Sequence, residues 1–263
     1  DDDTVLAMMT TEIERGQLYA RAGIVGFVEE AIFSWYLDAC TGTHKIAIAG
    51  GIREILVQLS LYLTDKLTVA RSGDLLKHFY QNLVPDVLRK TLGEFYTPDW
   101  LVQFTLDKTK VTDWLAVRTL DPTCGSGSFL LEVIRRKREA AVAKGMSRPE
   151  LLRHLTTTVW GFDLNPLAVL ASRVNYLIAI ADLLTPGEPI ELPILLADAI
   201  YSPARNPRED EEVVKYKIGS RVADLTLTIP AELAFDRVRL DRVLTSMDES
   251  VAATLEYDAA AAK

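Results

Sequence analysis

Three aspartates and two glycines carry most of the chemistry this sequence can offer. Asp121 opens the string Asp121-Pro122-Thr123-Cys124-Gly125-Ser126-Gly127-Ser128-Phe129-Leu130. Asp163 lies in Gly161-Phe162-Asp163-Leu164-Asn165-Pro166, and Asp198 in Leu196-Ala197-Asp198-Ala199. The apolar stretch Val117 to Leu120 reads as a buried strand running into the first string. Phe129, Leu130, Val133 and Ile134 recur beyond it at the one-face spacing of a helix. An acid at a strand end, a glycine turn and a helix start form a ligand-binding device. The glycines allow close backbone approach, and the helix N-terminus offers N–H groups to a carboxylate or phosphate. The dinucleotide fingerprint fits poorly, because Leu130 stands where its third glycine belongs and the next strand-end acid, Asp163, comes too late. A nucleotide P-loop is excluded, since no Lys-Ser or Lys-Thr follows the glycines.

These residues need a scaffold, and the pattern along the chain supplies one. Residues 1–90 read as an all-helical lobe: Thr10 to Leu37, Ile52 to Leu63 and Leu75 to Leu88 carry apolar residues at helical spacing, broken at Thr41-Gly42-Thr43 and Gly50-Gly51, with no strand pattern among them. From Thr97 onward strands and helices alternate. The expected order is a strand at 117–120, a helix at 128–144, a short helix capped by Ser147-Arg148-Pro149-Glu150, a strand at 159–162, a helix at 166–184 and a strand at 194–197. The expectation is an α/β chain, with the helical N-terminal lobe followed over residues 91–263 by a parallel, doubly wound, Rossmann-like sheet. Ligands on such sheets sit at the carboxyl ends of the strands, where Asp121, Asp163 and Asp198 all fall. Tyr201 to Glu212 reads as a charged, proline-rich loop, Leu225 to Ile229 as a half-exposed strand, and Ala231 to about Tyr257 as an amphipathic helix.

In order and spacing, the string at Gly93-Glu94-Phe95-Tyr96-Thr97-Pro98 and those around Asp121, Asp163 and Asp198 resemble the S-adenosylmethionine-binding half of amino-group DNA methyltransferases. The likeness, over roughly residues 91–200, is to the N6-adenine enzymes of restriction-modification and related phage-defence systems. It implies S-adenosylmethionine as cofactor and gives each residue a part. Thr97, flanked by Phe95 and Tyr96, reaches the methionine end. Asp121 holds the methionine amino group, Gly125 and Gly127 leave room for the ligand, and Pro122, Cys124 and Phe129 belong to the same matched string. Asp163 accepts the ribose hydroxyls, with capping of the helix at Pro166 as its structural alternative. Leu164 packs on the adenine, Asp198 accepts from its amino group, and Ala199 is small enough to sit beside the ring. Cys124 lacks a positioned base and is not read as a nucleophile.

One departure from that family stands out. The motif of Asn or Asp, two prolines and an aromatic that would act on a flipped base is absent, and Asn206-Pro207-Arg208 is no substitute. No catalytic residue and no metal ligand is therefore assigned. The expectation is a chain cut after the cofactor half of a larger enzyme, with the catalytic motif beyond residue 263. An RNA or protein methyltransferase of the same fold, or a non-catalytic interaction module, stays open as an alternative.

Composition sets the remaining bounds. A chain of 263 residues, 49% apolar, can bury a sizeable core. Cys40 and Cys124 have neither metal-ligand nor disulfide spacing. With no secretory segment and no apolar run judged long enough to span a bilayer, a cytoplasmic protein without membrane partners is the default. The net charge of −8 argues against a dominant DNA cleft here, so double-stranded DNA is expected to be gripped mostly by parts outside this chain, with a specificity or nuclease domain or subunit as a further partner. The basic run Arg135-Arg136-Lys137-Arg138 reads as a solvated helix face or, alternatively, a backbone-contacting patch.

Overall fold

The computed structural model describes residues 1–28, 42–61, 97–185, 187–200, 212–218, 225–236, 238–240, 242, 243 and 246. Two compact units divide the chain, Asp1–Ala199 and Ile200–Lys263. The boundary expected at residue 90 lies outside the described residues, as do the helix expected at 75–88, Phe95 and Tyr96.

The first unit is built on three parallel strands, β2 (Thr119–Asp121), β3 (Val159–Asp163) and β5 (Ile194–Leu196), in that spatial order. Asp121 stands opposite Gly161, and Asp163 opposite Leu196. This is the partial Rossmann-like sheet expected, and among the described residues its strand order does not reverse. Helix α5 (Ser128–Ala143) connects β2 towards β3, followed by α6 (Arg148–Thr158); α7 (Pro166–Ile180) connects β3 towards β5. Leu130, Val133, Ile134, Lys137 and Ala141 form the buried stripe of α5. The expected capping box at the head of α6 is present: Ser147 Oγ donates to Glu150 Oε2 at 2.6 Å, and Ser147 N donates to the same oxygen at 3.0 Å. Helix α4 (Asp99–Lys108) lies beside α5, burying Val102 and Leu106.

Strand β2 is shorter and less buried than the sequence suggested, with Leu120 53% exposed. The reason lies one turn before it. The Val117 carbonyl, expected in the strand, accepts instead from Lys137 Nζ at 2.6 Å.

The basic run on α5 is solvated only at Arg135, and all three of its arginines are engaged in ion pairs. Arg135 pairs with Glu132 and Glu139, Arg136 with Glu132 and with Asp107 of α4 at 2.7 Å, and Arg138 with Asp182 at 2.7 Å. Lys137 is 0% exposed and also donates to the Trp114 carbonyl at 2.8 Å, with His154 Nε2 3.4 Å away. Burial pushes the Lys137 ammonium down to about 8, against a smaller upward pull from Asp113. Burial, then the Lys137 charge, lowers His154 as well. Lys137 therefore binds more protons unfolded than folded between its lowered value and the ordinary lysine range, and its contribution to stability rises with pH through that window, against an opposing contribution from the Cys124 thiol, which burial raises. Urea midpoints measured at pH 7.5 and 9.5 are expected to increase for the wild type, and Lys137→Met is expected to flatten that increase.

Residues 1–28 do not form the single helix expected from residue 10 onward. Helix α1 (Asp2–Met8) passes into a π-helical turn (Met9–Glu14), then α2 (Gln17–Arg21), and the chain turns at Gly23 into a two-residue strand, β1 (Ile24–Val25). Gly23 has φ +84°, and a Cβ there would lie 3.0 Å from the Glu188 carbonyl oxygen, so a side chain would be both strained and crowded. β1 pairs in parallel with β4 (Ile190–Glu191), a strand inside a helix-rich region where the sequence offered none. Tyr19 stacks on Phe27 with centroids 4.1 Å apart, and Ile24 and Phe27 join the main core. Helix α3 (Gly42–Ser60) meets α1 through the ion pairs Lys45–Asp3 and Arg53–Asp2.

Pro166–Leu183 is the one span among the described residues long and apolar enough to cross a membrane by composition, which the sequence reading had excluded. It is the central core helix of this unit, with Ser172, Arg173 and Asn175 all buried.

In the second unit, β6 (Val213–Ile218) and β7 (Leu225–Pro230) form an antiparallel pair that sets buried Val214 against buried Ile229. The long helix expected from Ala231 is interrupted. Helix α8 covers Ala231–Ala234, and Asp236 Oδ1 then accepts from Arg239 N at 3.1 Å, so the aspartate caps a new turn rather than extending the old one.

Candidate functional site: a crevice at three strand ends

The glycine turn between β2 and α5 is stitched to its neighbour at several points. Cys124 N donates to the Phe162 carbonyl at 2.8 Å, and Gly125 N to Asp163 Oδ2 at 2.8 Å. The other carboxylate oxygen of Asp163 accepts from Asn165 N at 2.9 Å. Ala197 N donates to the Asp163 carbonyl at 3.0 Å, continuing the ladder to the third strand end. Asp121, Asp163 and the Ala197–Ala199 segment thus end adjacent parallel strands, about 4.8 Å from strand to strand.

Asp163 does not cap α7. That task falls to Asn165, whose side chain accepts from Leu167 N at 2.9 Å. Its carboxylate is a brace between β3 and the glycine turn, with lone pairs remaining for a ligand hydroxyl. Asp121 Oδ1 accepts from Thr123 N at 3.2 Å. Burial holds the Asp121 carboxyl above the ordinary carboxylate range, with the Thr123 N–H opposing and the Asp163 charge adding to the rise. A cation arriving beside these two carboxylates would relieve both the burial and the repulsion.

The other expected residues divide into outward and inward groups. Gly125, at φ +54°, has open space where a Cβ would stand, while Leu164 is 69% exposed and Pro122, Asp198 and Ala199 are exposed at the strand ends. Cys124 and Phe129 face the core. The Cys124 thiol lies 3.7 Å from Ser172 Oγ and is pushed up by burial to about 12, which leaves it inert as a nucleophile. Gly127 turns towards α7 rather than towards open space, its missing Cβ position being 2.7 Å from Ser172 Oγ. Thr97 is half-buried ahead of α4.

Sequence reasoning missed the underside of this turn. Ser172 and Asn175 of α7 are 1% and 2% exposed, and Asn175 Nδ2 donates to the Ser126 carbonyl at 2.9 Å. The available signal was three polar residues, Ser172, Arg173 and Asn175, inside an otherwise apolar helix.

Residues 71–210, more than half of the chain and including all three strand ends, match the family model described as N-6 DNA Methylase. The chain belongs to the N-6 DNA methylase family. Within that family it is 33% identical over 114 residues to the adenine-specific methyltransferase PglX of Streptomyces coelicolor. The match covers 41% of this chain and 9% of that much longer protein, so the chain spans only a small part of the curated relative.

Proposed function

We propose that this crevice binds S-adenosylmethionine, and that the chain is the cofactor-binding portion of an enzyme that methylates adenine N6 in DNA, in a restriction-modification or phage-defence setting. The observation that carries the reading is the Gly125–Asp163 bond beside Asp121: an open glycine held by one carboxylate, with a second carboxylate at the adjacent strand end. Their chemistry fits the cofactor. Asp121 is suited to the methionine ammonium, because a half-buried carboxylate next to a second one gains from a cation. Asp163 is suited to the ribose hydroxyls, Leu164 to the adenine face, Asp198 to the adenine amino group beside Ala199, and Thr97 with Phe95 and Tyr96 to the methionine end. When bound, S-adenosylmethionine supplies a methyl group already activated by its sulfonium. The residues of this chain then have only to bind and orient it.

DNA is the proposed substrate. Since the basic run on α5 is engaged in internal ion pairs, phosphate contacts are assigned to other residues and to parts of the enzyme outside this chain, a specificity or nuclease domain or subunit among them. A cytoplasmic location accords with that substrate.

Isothermal titration with S-adenosylmethionine tests the cofactor assignment. Asp163→Ala and Asp121→Ala are each expected to weaken binding by about 1–3 kcal/mol, the range for a lost hydrogen bond to a charged group. Because the Asp121 carboxyl titrates above the usual range, wild-type affinity is expected to fall early on acidification. A folded protein that takes up no ligand at millimolar concentration, or two variants that bind like wild type, would sink the assignment.

A further inference from the structure

Burying a side-chain amide is costly unless it makes specific hydrogen bonds, and Asn175 spends one on a single backbone oxygen of the cofactor turn. The Ser126–Gly127 peptide is fixed at both ends. Its carbonyl accepts from Asn175 Nδ2, and its N–H donates to the Cys124 carbonyl at 2.8 Å. Ser126 is itself 1% exposed, so no water competes for that carbonyl. One helical turn earlier on α7, Ser172 Oγ fills the space beneath Gly127 and contacts the Cys124 thiol. Residues 124, 126 and 127 therefore rest on two polar side chains of one helix, while Gly125 between them is held by Asp163 from the crevice side. The peptide that Asn175 grips leads directly into α5, whose first helical bond runs from Leu131 N to the Gly127 carbonyl at 2.9 Å. A rotation of that peptide would re-aim both Gly125 and the start of α5.

We infer that Asn175, with Ser172 beneath Gly127, is a positioning residue for S-adenosylmethionine, setting the pitch of the glycine turn from below. The inference rests on the cofactor reading given above. A helix that merely filled the core would need no amide or hydroxyl at these two places, and leucine or alanine would serve it better.

The test uses the full chain carrying Asn175→Ala, Asn175→Asp or Ser172→Ala, titrated calorimetrically with S-adenosylmethionine at a temperature where circular dichroism shows each variant folded. Asn175→Ala is expected to lose about tenfold in affinity, the value of one buried hydrogen bond. Asn175→Asp is expected to be weaker still at pH 8, where its carboxylate faces the Ser126 carbonyl. Its affinity relative to wild type should then recover as the pH falls, because the protonated acid can donate as the amide did. A purely structural role would lower the urea midpoint and leave both the affinity and this pH ratio unchanged. Should the Asn175 variants not fold, Ser172→Ala removes one hydroxyl only and is expected to show a smaller loss in the same direction. Wild-type protein that binds no ligand overturns the cofactor reading itself. Wild-type binding, matched by every folded variant across the pH range, overturns the positioning role alone.

Discussion

Gly127→Ala is expected to abolish measurable S-adenosylmethionine binding and to lower the unfolding free energy by about 2–5 kcal/mol. Two separate effects add. Gly127 has φ +91° and ψ 21°, a left-handed conformation that costs an L-residue roughly 1–2 kcal/mol. The new Cβ would also lie 2.7 Å from Ser172 Oγ and 3.7 Å from the Ser172 Cα, and forcing a methyl into such a contact costs about 1–3 kcal/mol. Rotation of the hydroxyl is an incomplete escape, because Ser172 is 1% exposed and the Cys124 sulfur already lies 3.7 Å from its oxygen. The two terms separate in a double-mutant cycle. In a Ser172→Ala background the closest remaining contact is the residue 172 Cβ at 3.6 Å, an ordinary distance, so Gly127→Ala should there cost only the backbone strain. Urea denaturation of the four proteins reads the stability part and titration calorimetry the binding part. Equal costs in both backgrounds would place Ser172 away from this glycine and contradict the packing described.

The features visible in the sequence are those whose local pattern and long-range role coincide. The strand-end placement of Asp121 and Asp163 was readable because each closes an apolar stretch at strand spacing, directly before a helix start. β1 and β4 were not readable, since two residues cannot display an alternation of period two, and Ile24 meets Ile190 across 166 positions of chain. The basic run misled for a related reason. Glu132 and Glu139 stand within a helical turn of Arg135, but Asp107 and Asp182, which engage Arg136 and Arg138, come from other elements. Lys137 could have been found: it occupies the next place in the stripe Leu130, Val133, Ile134, Ala141, so the helical period alone puts its stem in the core. The turn at Phe235-Asp236 was hidden because an aspartate in a charged helix and an aspartate capping the next turn have the same composition.

Arg173→Met is expected to destabilise the first unit by about 2–4 kcal/mol, the cost of leaving two buried carbonyls poorly satisfied. Arg173 is 4% exposed. Its Nε and Nη2 both donate to the Ile194 carbonyl, at 3.0 and 2.7 Å, and Nη1 donates to the Phe27 carbonyl at 2.9 Å. One guanidinium thus ties α7, the third strand of the sheet and the N-terminal segment carrying β1. Methionine retains most of the apolar stem, so lost donors rather than lost volume would dominate. Lysine is expected to rescue little, because a single ammonium cannot reproduce a planar fork aimed at two oxygens. The loss should also be local. Ile190 N donates to the Gly23 carbonyl at 2.8 Å, and its amide hydrogen should exchange faster in Arg173→Met, since β1 loses its anchor to the core. Because Ile194 opens the strand that leads to Asp198, affinity for S-adenosylmethionine should fall along with stability. A variant as stable as wild type, with Ile190 still protected, would show that burial of Ile24 and Phe27 alone holds the N-terminal segment in place.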